Sequence, residues 1–236
     1  MIWLGIDTAN IPLSVAIVKD GEILIEENTS MAINHSLRAM PAIDEVFQKT
    51  GIAPSDINAI AVSEGPGSYT GVRIGVTIAK TLAWTLNKPL IGVSSLKALA
   101  ANALYFNGLL CPIIDARRNN VYAGAYRFEN GKLTAIIEDG HFSLGELIGK
   151  LKSFKYPVLF IGKDTSLHKD QLIDELADHA VFAPIQFNLP RASSLIHAAQ
   201  QFEEKVDIHN FVPEYRRIAE AEANWLKAQE KGNDHG

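Results

Sequence analysis

Cysteine and long apolar runs are scarce in this chain of 236 residues, which has one cysteine and three methionines. The single Cys111 excludes a disulfide framework and a cysteine-ligated zinc site within one chain, so we expect a reducing compartment. No stretch approaches the roughly 18 apolar residues that a membrane span requires. The start, Met1–Asp7, lacks the basic residues of a signal peptide. These absences predict a cytoplasmic protein with no membrane partner.

Metal-binding and nucleophile motifs are also missing. The seven histidines form no HxxH or HxxxH pair, the spacings with which helices hold zinc or iron. The GxSxG elbow of the hydrolases does not occur either. We therefore predict no catalytic residue and no metal ligand. The 22 basic and 27 acidic residues give a formal charge of −5, which argues against a protein that binds nucleic acid mainly by neutralising its phosphates.

The order of predicted elements repeats along the chain. Each half begins with an apolar run that ends in aspartate, at Asp7 and at Asp115, and continues into a hairpin marked by Asp20-Gly21 or Asn130-Gly131. The pattern β-β-β-α-β-α-β-α therefore occurs twice. It predicts an α/β protein with a duplicated ribonuclease-H-like fold, the architecture of the actin-like ATPases. We expect the halves at 1–104 and 105–210, followed by a helical segment and tail at 211–236.

Helix boundaries follow from apolar periodicity and from capping residues. One helix is predicted from His35 to Lys49, with a kink or a later start because of Pro41. A second is predicted from Gly71 to Leu86, with Thr70 as its N-cap. The last helix of the second half is predicted over 193–203.

A glycine-rich run lies between a predicted strand and the helix that starts at Gly71. Such a turn at a helix N-terminus offers backbone N–H groups that suit an anion. The glycines at 65, 67 and 71 follow neither the P-loop nor the dinucleotide pattern, so a plain tight turn or an interface is the alternative. If a nucleotide does bind near this turn, the residues closest to it are expected to be Asp7, Gly65, Gly67, Ser68 and Arg73.

The helix after this turn is apolar almost all round, which indicates burial on more than one side. Small residues recur every four positions at Gly71, Gly75, Ala79 and Ala83. They would let a second backbone approach closely, either inside the core or across a subunit interface. The residues predicted for a partner interface are Met40, Ile43, Phe47, Tyr69, Gly71, Val72, Gly75, Ile78, Ala79 and Leu82.

Several segments together resemble one family. The opening Gly5–Thr8, the run Gly65–Gly75, the segment Asp115–Arg118 and the later Ser94–Leu96 are similar to those of the TsaB (YeaZ) family. The segment Pro213–Arg217 is similar as well, although Arg216 stands where the family usually has an apolar residue. The glycine-rich run is the most specific of these segments, and the similarity extends over most of the chain.

The resemblance implies a non-catalytic subunit in the formation of threonylcarbamoyladenosine at position 37 of tRNAs that read ANN codons. The implied partners are the transferase TsaD, together with TsaE and TsaC, and a homodimer is implied when TsaD is absent. Transfer RNA would be contacted only indirectly or weakly. The chain would hold no cofactor of its own, while ATP, ADP and magnesium could bind within the complex.

Two alternatives remain open from the residues alone. The chain could be an independent ATPase or kinase of the actin-like fold that uses Asp7 and the Gly65–Gly71 turn, although neither Asp7 nor Asp115 is followed by a glycine. Arg117, Arg118 and Arg127 could form a basic strip, or they could be solvated surface residues.

Overall fold

The computed structural model describes residues 1–31, 34–201, 208 and 210–212. The strands are β1 (Ile2–Asp7), β2 (Leu13–Lys19), β3 (Glu22–Thr29), β4 (Ala59–Gly65), β5 (Leu90–Ser94), β6 (Leu109–Asp115), β7 (Asn120–Glu129), β8 (Lys132–Ser143), β9 (Val158–Ile161) and β10 (Ala180–Phe182). The α-helices are α1 (His35–Thr50), α2 (Tyr69–Leu86), α3 (Ser95–Ala100), α4 (Leu144–Leu151), α5 (Lys169–Leu176) and α6 (Ala192–Ala199).

Two five-stranded sheets have the same strand order. The first is β3-β2-β1-β4-β5, and the second, read from the other edge, is β8-β7-β6-β9-β10. In each sheet the first three strands are antiparallel, and the last two are added in parallel to the first strand. The hairpin residues Asp20, Gly21, Asn130 and Gly131 all have positive φ, as tight hairpin turns require. The predicted duplicated fold is therefore confirmed.

The helices form layers around the two sheets. Helices α1 and α2 cover the outer face of the first sheet, and α4 and α5 cover the outer face of the second. Helices α3 and α6 lie between the sheets, and one apolar cluster joins side chains from both sheets to these two helices. The halves therefore share a buried layer. The domain boundary at 104 and 105 stays a prediction.

Helix α6 packs on the sheet of the other half. It follows the second sheet in the chain, yet it contacts β1 and β2 of the first sheet. The reason lies at its N-terminus, where buried Glu26 of β3 accepts hydrogen bonds from Ser193 N (2.8 Å) and Arg191 Nε (2.9 Å). Ser14 Oγ of β2 also accepts from Ala192 N at 2.7 Å. These contacts bind the start of α6 to the first sheet.

Helix α1 begins at His35, as predicted, and it continues through Pro41, so the later start does not occur; the Asn34 side chain accepts from Ser36 N and caps the first turn. Two other boundaries differ from the prediction. The sequence predicts a strand over 133–138, whereas β8 extends to Ser143. Helix α6 ends at Ala199, and residues 202 and 203 of the predicted helix lie outside the described residues. The predicted segment from 213 onward, which includes the family-like stretch 213–217, also lies outside them.

Candidate functional site

The glycine-rich turn joins β4 to α2. Helix α2 begins at Tyr69, two residues earlier than predicted, because Ser68 is its N-cap in place of Thr70 and its hydroxyl accepts from Gly71 N at 3.4 Å. Gly65 ends β4 with φ +111°, a conformation that side-chain-bearing residues rarely adopt. The turn therefore has the strand–turn–helix context that the sequence predicts.

The turn that follows β1 occupies the space beside the glycine-rich turn. Thr8 Oγ1 donates to Gly71 O at 2.7 Å, and Ser68 N donates to Ala9 O at 2.6 Å. A Cβ atom at Gly71 would lie 2.3 Å from Thr8 O, and one at Gly67 would lie 2.2 Å from Ala9 O. The glycines are required because the chain's own backbone approaches them this closely.

Gly75 belongs to the same contact. A Cβ atom there would lie 2.3 Å from Thr8 Oγ1. The expectation that another part of a chain approaches these small residues closely is thus confirmed. However, Gly71 is approached by the backbone oxygen of Thr8 in the same chain, and Gly75 is approached by the side-chain hydroxyl of Thr8.

Asp7 is buried at the end of β1, and its side chain accepts from Ala9 N at 3.0 Å. Burial raises the pKa of Asp7 from 3.8 to about 6, and the hydrogen bonds from Ala9 and Ser63 and the nearby His35 only partly oppose that rise. A carboxyl group in this position is shielded from solvent and engaged with its own turn.

The residues predicted to be near a nucleotide divide into two groups. Asp7, Gly67 and Ser68 lie beside the Thr8–Ala9 backbone, which occupies the space next to the glycine-rich turn at the start of α2. Arg73 lies on the exposed side of α2, with its guanidinium 4.1 Å from the centre of the Tyr69 ring. The geometry gives the ATPase alternative no room for a phosphate between this turn and α2.

The corresponding position in the second half is more open. Asp115 ends β6 with its side chain about a quarter exposed, and its backbone N–H donates to Asp164 Oδ2 at 2.9 Å. His168 is buried, with Nε2 lying 3.6 Å from Asp115 Oδ1 and making no hydrogen bond. Among the residues that the structure describes, no three His, Cys, Asp or Glu side chains form a metal site.

The structure separates the three arginines of the basic-strip alternative. Arg117 and Arg118 lie in the turn between β6 and β7, whereas Arg127 lies seven residues along β7, about 23 Å away at the rise of a strand. Arg127 is also engaged locally, with Glu129 at 2.9 Å and over the ring of Tyr156.

The predicted partner interface divides into inward and outward residues. Six of its members are buried within this chain, namely Ile43, Phe47, Gly71, Val72, Gly75 and Ala79. Ile78 and Leu82 are half-buried, while Met40 and Tyr69 are 46% and 57% exposed. The buried residues pack into the core beneath α1 and α2. Only the outward residues are therefore available to a partner.

Two exposed apolar residues were missed by the sequence reasoning. Leu37 on α1 and Trp84 on α2 are each 68% exposed. Leu37 lies three residues before Met40, a spacing that places both on one side of α1. Trp84 lies at helical spacing from the threonines at 77 and 81, which was the available signal. We call Leu37, Met40, Tyr69, Ile78, Leu82 and Trp84 the α1–α2 face.

Helix α2 carries little charge on its outer side. Its exposed positions include the threonines at 70, 77, 81 and 85, with Arg73 as a charged residue among them. The other cation of the helix, Lys80, donates to Phe211 O at 2.6 Å. A helix that faces only water normally carries many charges there, and depletion of charge is typical of the centre of an interface.

Comparison with known proteins identifies the family. The model of the family described as "TsaD: tRNA N6-adenosine threonylcarbamoyltransferase" matches residues 24–225. The tRNA threonylcarbamoyladenosine biosynthesis protein TsaB of Bacillus subtilis is 45% identical over 97% of this chain and 100% of its own length. The chain belongs to the TsaB family. The resemblance seen in the motifs is thereby confirmed.

This chain is also similar to a solved structure and to a transferase. The solved structure of YeaZ from Pseudomonas aeruginosa has a TM-score of 0.78 and 25% identity, covering 91% of this chain and 99% of that one. A tRNA N6-adenosine threonylcarbamoyltransferase of Bacillus subtilis is 32% identical over 64% of this chain and 49% of its own length. This chain and the transferase are therefore similar over part of their lengths. Within the described residues, no helix is long and apolar enough to cross a membrane.

Proposed function

We propose that this TsaB-family chain is a non-catalytic subunit of the complex that forms threonylcarbamoyladenosine at position 37 of tRNAs that read ANN codons. It binds the transferase TsaD as a heterodimer and works with TsaE. TsaC supplies threonylcarbamoyl-AMP, and TsaD transfers the group to the tRNA. ATP, ADP and magnesium act within the complex, and this chain holds no cofactor of its own. Family membership supports this role.

The observation that carries the proposal is the α1–α2 face. It combines exposed apolar side chains on two adjacent helices with an outer side of α2 that is poor in charge. Exposed apolar groups of this kind mark surfaces that another protein covers. The buried glycines of α2 keep the helix tight against its own sheet and turn, so the face is presented on a rigid support.

The same face serves a homodimer when TsaD is absent. A surface that is apolar on both copies can be paired with itself around a twofold axis, and a two-fold pair is the commonest assembly of identical chains. Binding of TsaD then competes with self-association. Light scattering of the chain alone and after addition of TsaD should show a dimer that is replaced by a heterodimer.

The test of the interface is a charge placed on the α1–α2 face. Met40→Glu combined with Trp84→Glu places two carboxylates on exposed positions, where the fold tolerates them. An interface that covered these positions would have to desolvate both charges, so we expect TsaD to bind at least about 100-fold more weakly. Isothermal titration calorimetry of the variant with TsaD measures this change.

The control is Ile185→Glu, which changes a more exposed apolar residue outside the α1–α2 face. It should bind TsaD like the wild-type chain. Adenosine modification measured with TsaC, TsaD and TsaE should fall with the double variant and persist with the control. Unchanged affinity of the double variant for TsaD would reject the interface. Modification at the full rate without this chain would reject the proposed role.

A further inference from the structure

The turn between β6 and β7 has an unusual backbone. Arg117, Arg118 and Asn119 have φ values of 67°, 54° and 58°, so three successive residues with side chains adopt the left-handed conformation. For the two arginines this conformation costs about 1–2 kcal/mol each relative to the right-handed form, whereas asparagine adopts it more readily. Strain of this kind persists only where surrounding contacts enforce it, and it concentrates at functional positions.

Hydrogen bonds hold this turn in place. Asp115 Oδ1 accepts from Arg117 N at 3.2 Å, and the Asn120 side chain donates to Arg117 O and Arg118 O at 3.2 and 3.1 Å. The backbone closes the turn, since Ala116 N donates to Asn120 O at 2.9 Å. Both arginines are exposed. The turn is therefore a fixed support that carries two neighbouring guanidinium groups at the surface.

More positive charge lies at the same edge of the second sheet. β9 is the parallel neighbour of β6, and exposed Lys163 follows it directly. The hydrogen bond from Asp115 N to Asp164 Oδ2 joins the two strand ends. Asp115 and Asp164 each accept a backbone N–H bond at this edge, and the three cations Arg117, Arg118 and Lys163 outnumber these two carboxylates.

We propose that Arg117 and Arg118 contact the phosphate backbone of the tRNA that the complex modifies, an inference that rests on the proposed function. The guanidinium group presents paired N–H donors that match two phosphate oxygens, which a lysine cannot do. A rigid turn loses little conformational freedom when these side chains bind. The overall charge of −5 does not oppose such a contact, because the two arginines act locally.

This surface stays open when TsaD is bound to the α1–α2 face. Helices α1 and α2 cover the outer side of the first sheet, and the α3–α6 layer separates that sheet from the second. The Arg117–Arg118 turn lies at an end of the second sheet. The proposed tRNA contact and the proposed TsaD contact therefore use different residues of this chain.

The test compares two variants with the same change of charge. Arg117→Gln with Arg118→Gln removes the proposed contacts, and Arg127→Gln with Lys132→Gln removes two cations from the far end of β7 and the adjoining hairpin. Fluorescence anisotropy of labelled tRNA is titrated with each reconstituted complex with TsaD at several KCl concentrations. We expect the first variant to bind about tenfold more weakly at 0.1 M salt. Its slope of log K against log salt should become shallower by about 1.4–1.8, from 0.7–0.9 per lost phosphate contact.

Complex formation with TsaD is measured first in the same samples. An Arg117–Arg118 variant that matches the wild type in affinity and slope, or that differs no more than the Arg127–Lys132 variant, overturns the proposal. Loss of TsaD binding in that variant also overturns it, because the arginines would then contact protein. If the wild-type chain itself fails to bind TsaD, the proposed function fails, and the same titration with the chain alone still decides whether the arginines contact tRNA.

Discussion

The contact between Gly71 and the turn after β1 gives a sharp prediction of stability. A Cβ atom added at Gly71 would lie 2.3 Å from the backbone oxygen of Thr8, which is itself fixed by the hydrogen bond from Thr8 Oγ1 to Gly71 O. Gly71→Ala must therefore push the turn away from α2. Overpacking costs about 1–3 kcal/mol, and loss of the hydrogen bond costs about 1 kcal/mol more. We expect the substitution to lower the free energy of unfolding.

Gly145 provides the matched control. It lies in the first turn of α4, as Gly71 lies in the first turn of α2, and nothing lies within 4 Å of an added Cβ. Gly145→Ala should raise the free energy of unfolding by up to about 1 kcal/mol, because alanine loses less backbone entropy in a helix.

Urea denaturation followed by circular dichroism measures both variants. The variants should differ by about 2–4 kcal/mol, the sum of the overpacking and hydrogen-bond costs that only Gly71→Ala incurs. Equal stability of the two would refute the claim that the β1–β2 turn is why residue 71 is glycine.

Two further predictions concern buried carboxylates. Burial raises the pKa of Asp7 from 3.8 to about 6, so the folded protein binds more protons than the unfolded chain between these values. Stability should therefore fall as pH rises through this range. Asp7→Asn should gain up to about 3 kcal/mol on the wild type between pH 4 and 7 in urea titrations; a constant difference would contradict the raised pKa. Glu26→Gln should lower the free energy of unfolding by about 2–3 kcal/mol, because Arg191 and the start of α6 lose a charged acceptor. Exposed Glu45→Gln is its control and should leave the urea midpoint unchanged; an equal effect of both would disprove the role of Glu26.

The element order could be predicted because it depends on local signals. Alternating and helical periodicity locate the strands and helices, and Asp20-Gly21 and Asn130-Gly131 have the positive φ values that their residue types favour. The place of α6 could not be predicted, since it depends on the contact between Glu26 and Arg191, which are far apart in the chain. Periodicity shows which side of a helix is apolar but does not identify the sheet that covers it.

The candidate site was predictable in composition but only partly in arrangement. The small residues at 71 and 75 correctly indicate a close approach to α2, which the Thr8 backbone makes at Gly71 and the Thr8 hydroxyl makes at Gly75. Their spacing does not show which segment approaches, because Thr8 is brought there by the pairing of β1 with β4. The exposed side of α2 was harder to predict from the sequence. An apolar residue such as Trp84 can lie either in a core or at the surface, and the sequence alone does not distinguish the two.

The turn after β1 connects these observations, because it holds both helices of the α1–α2 face. Thr8 Oγ1 donates to Gly71 O of α2, and Asn10 O accepts from Nε2 of His35, the first residue of α1, at 2.7 Å. A turn that opened to admit a phosphate would have to break these contacts and would displace both helices. Packing this turn against α2 and holding α1 and α2 in place are therefore one structural requirement.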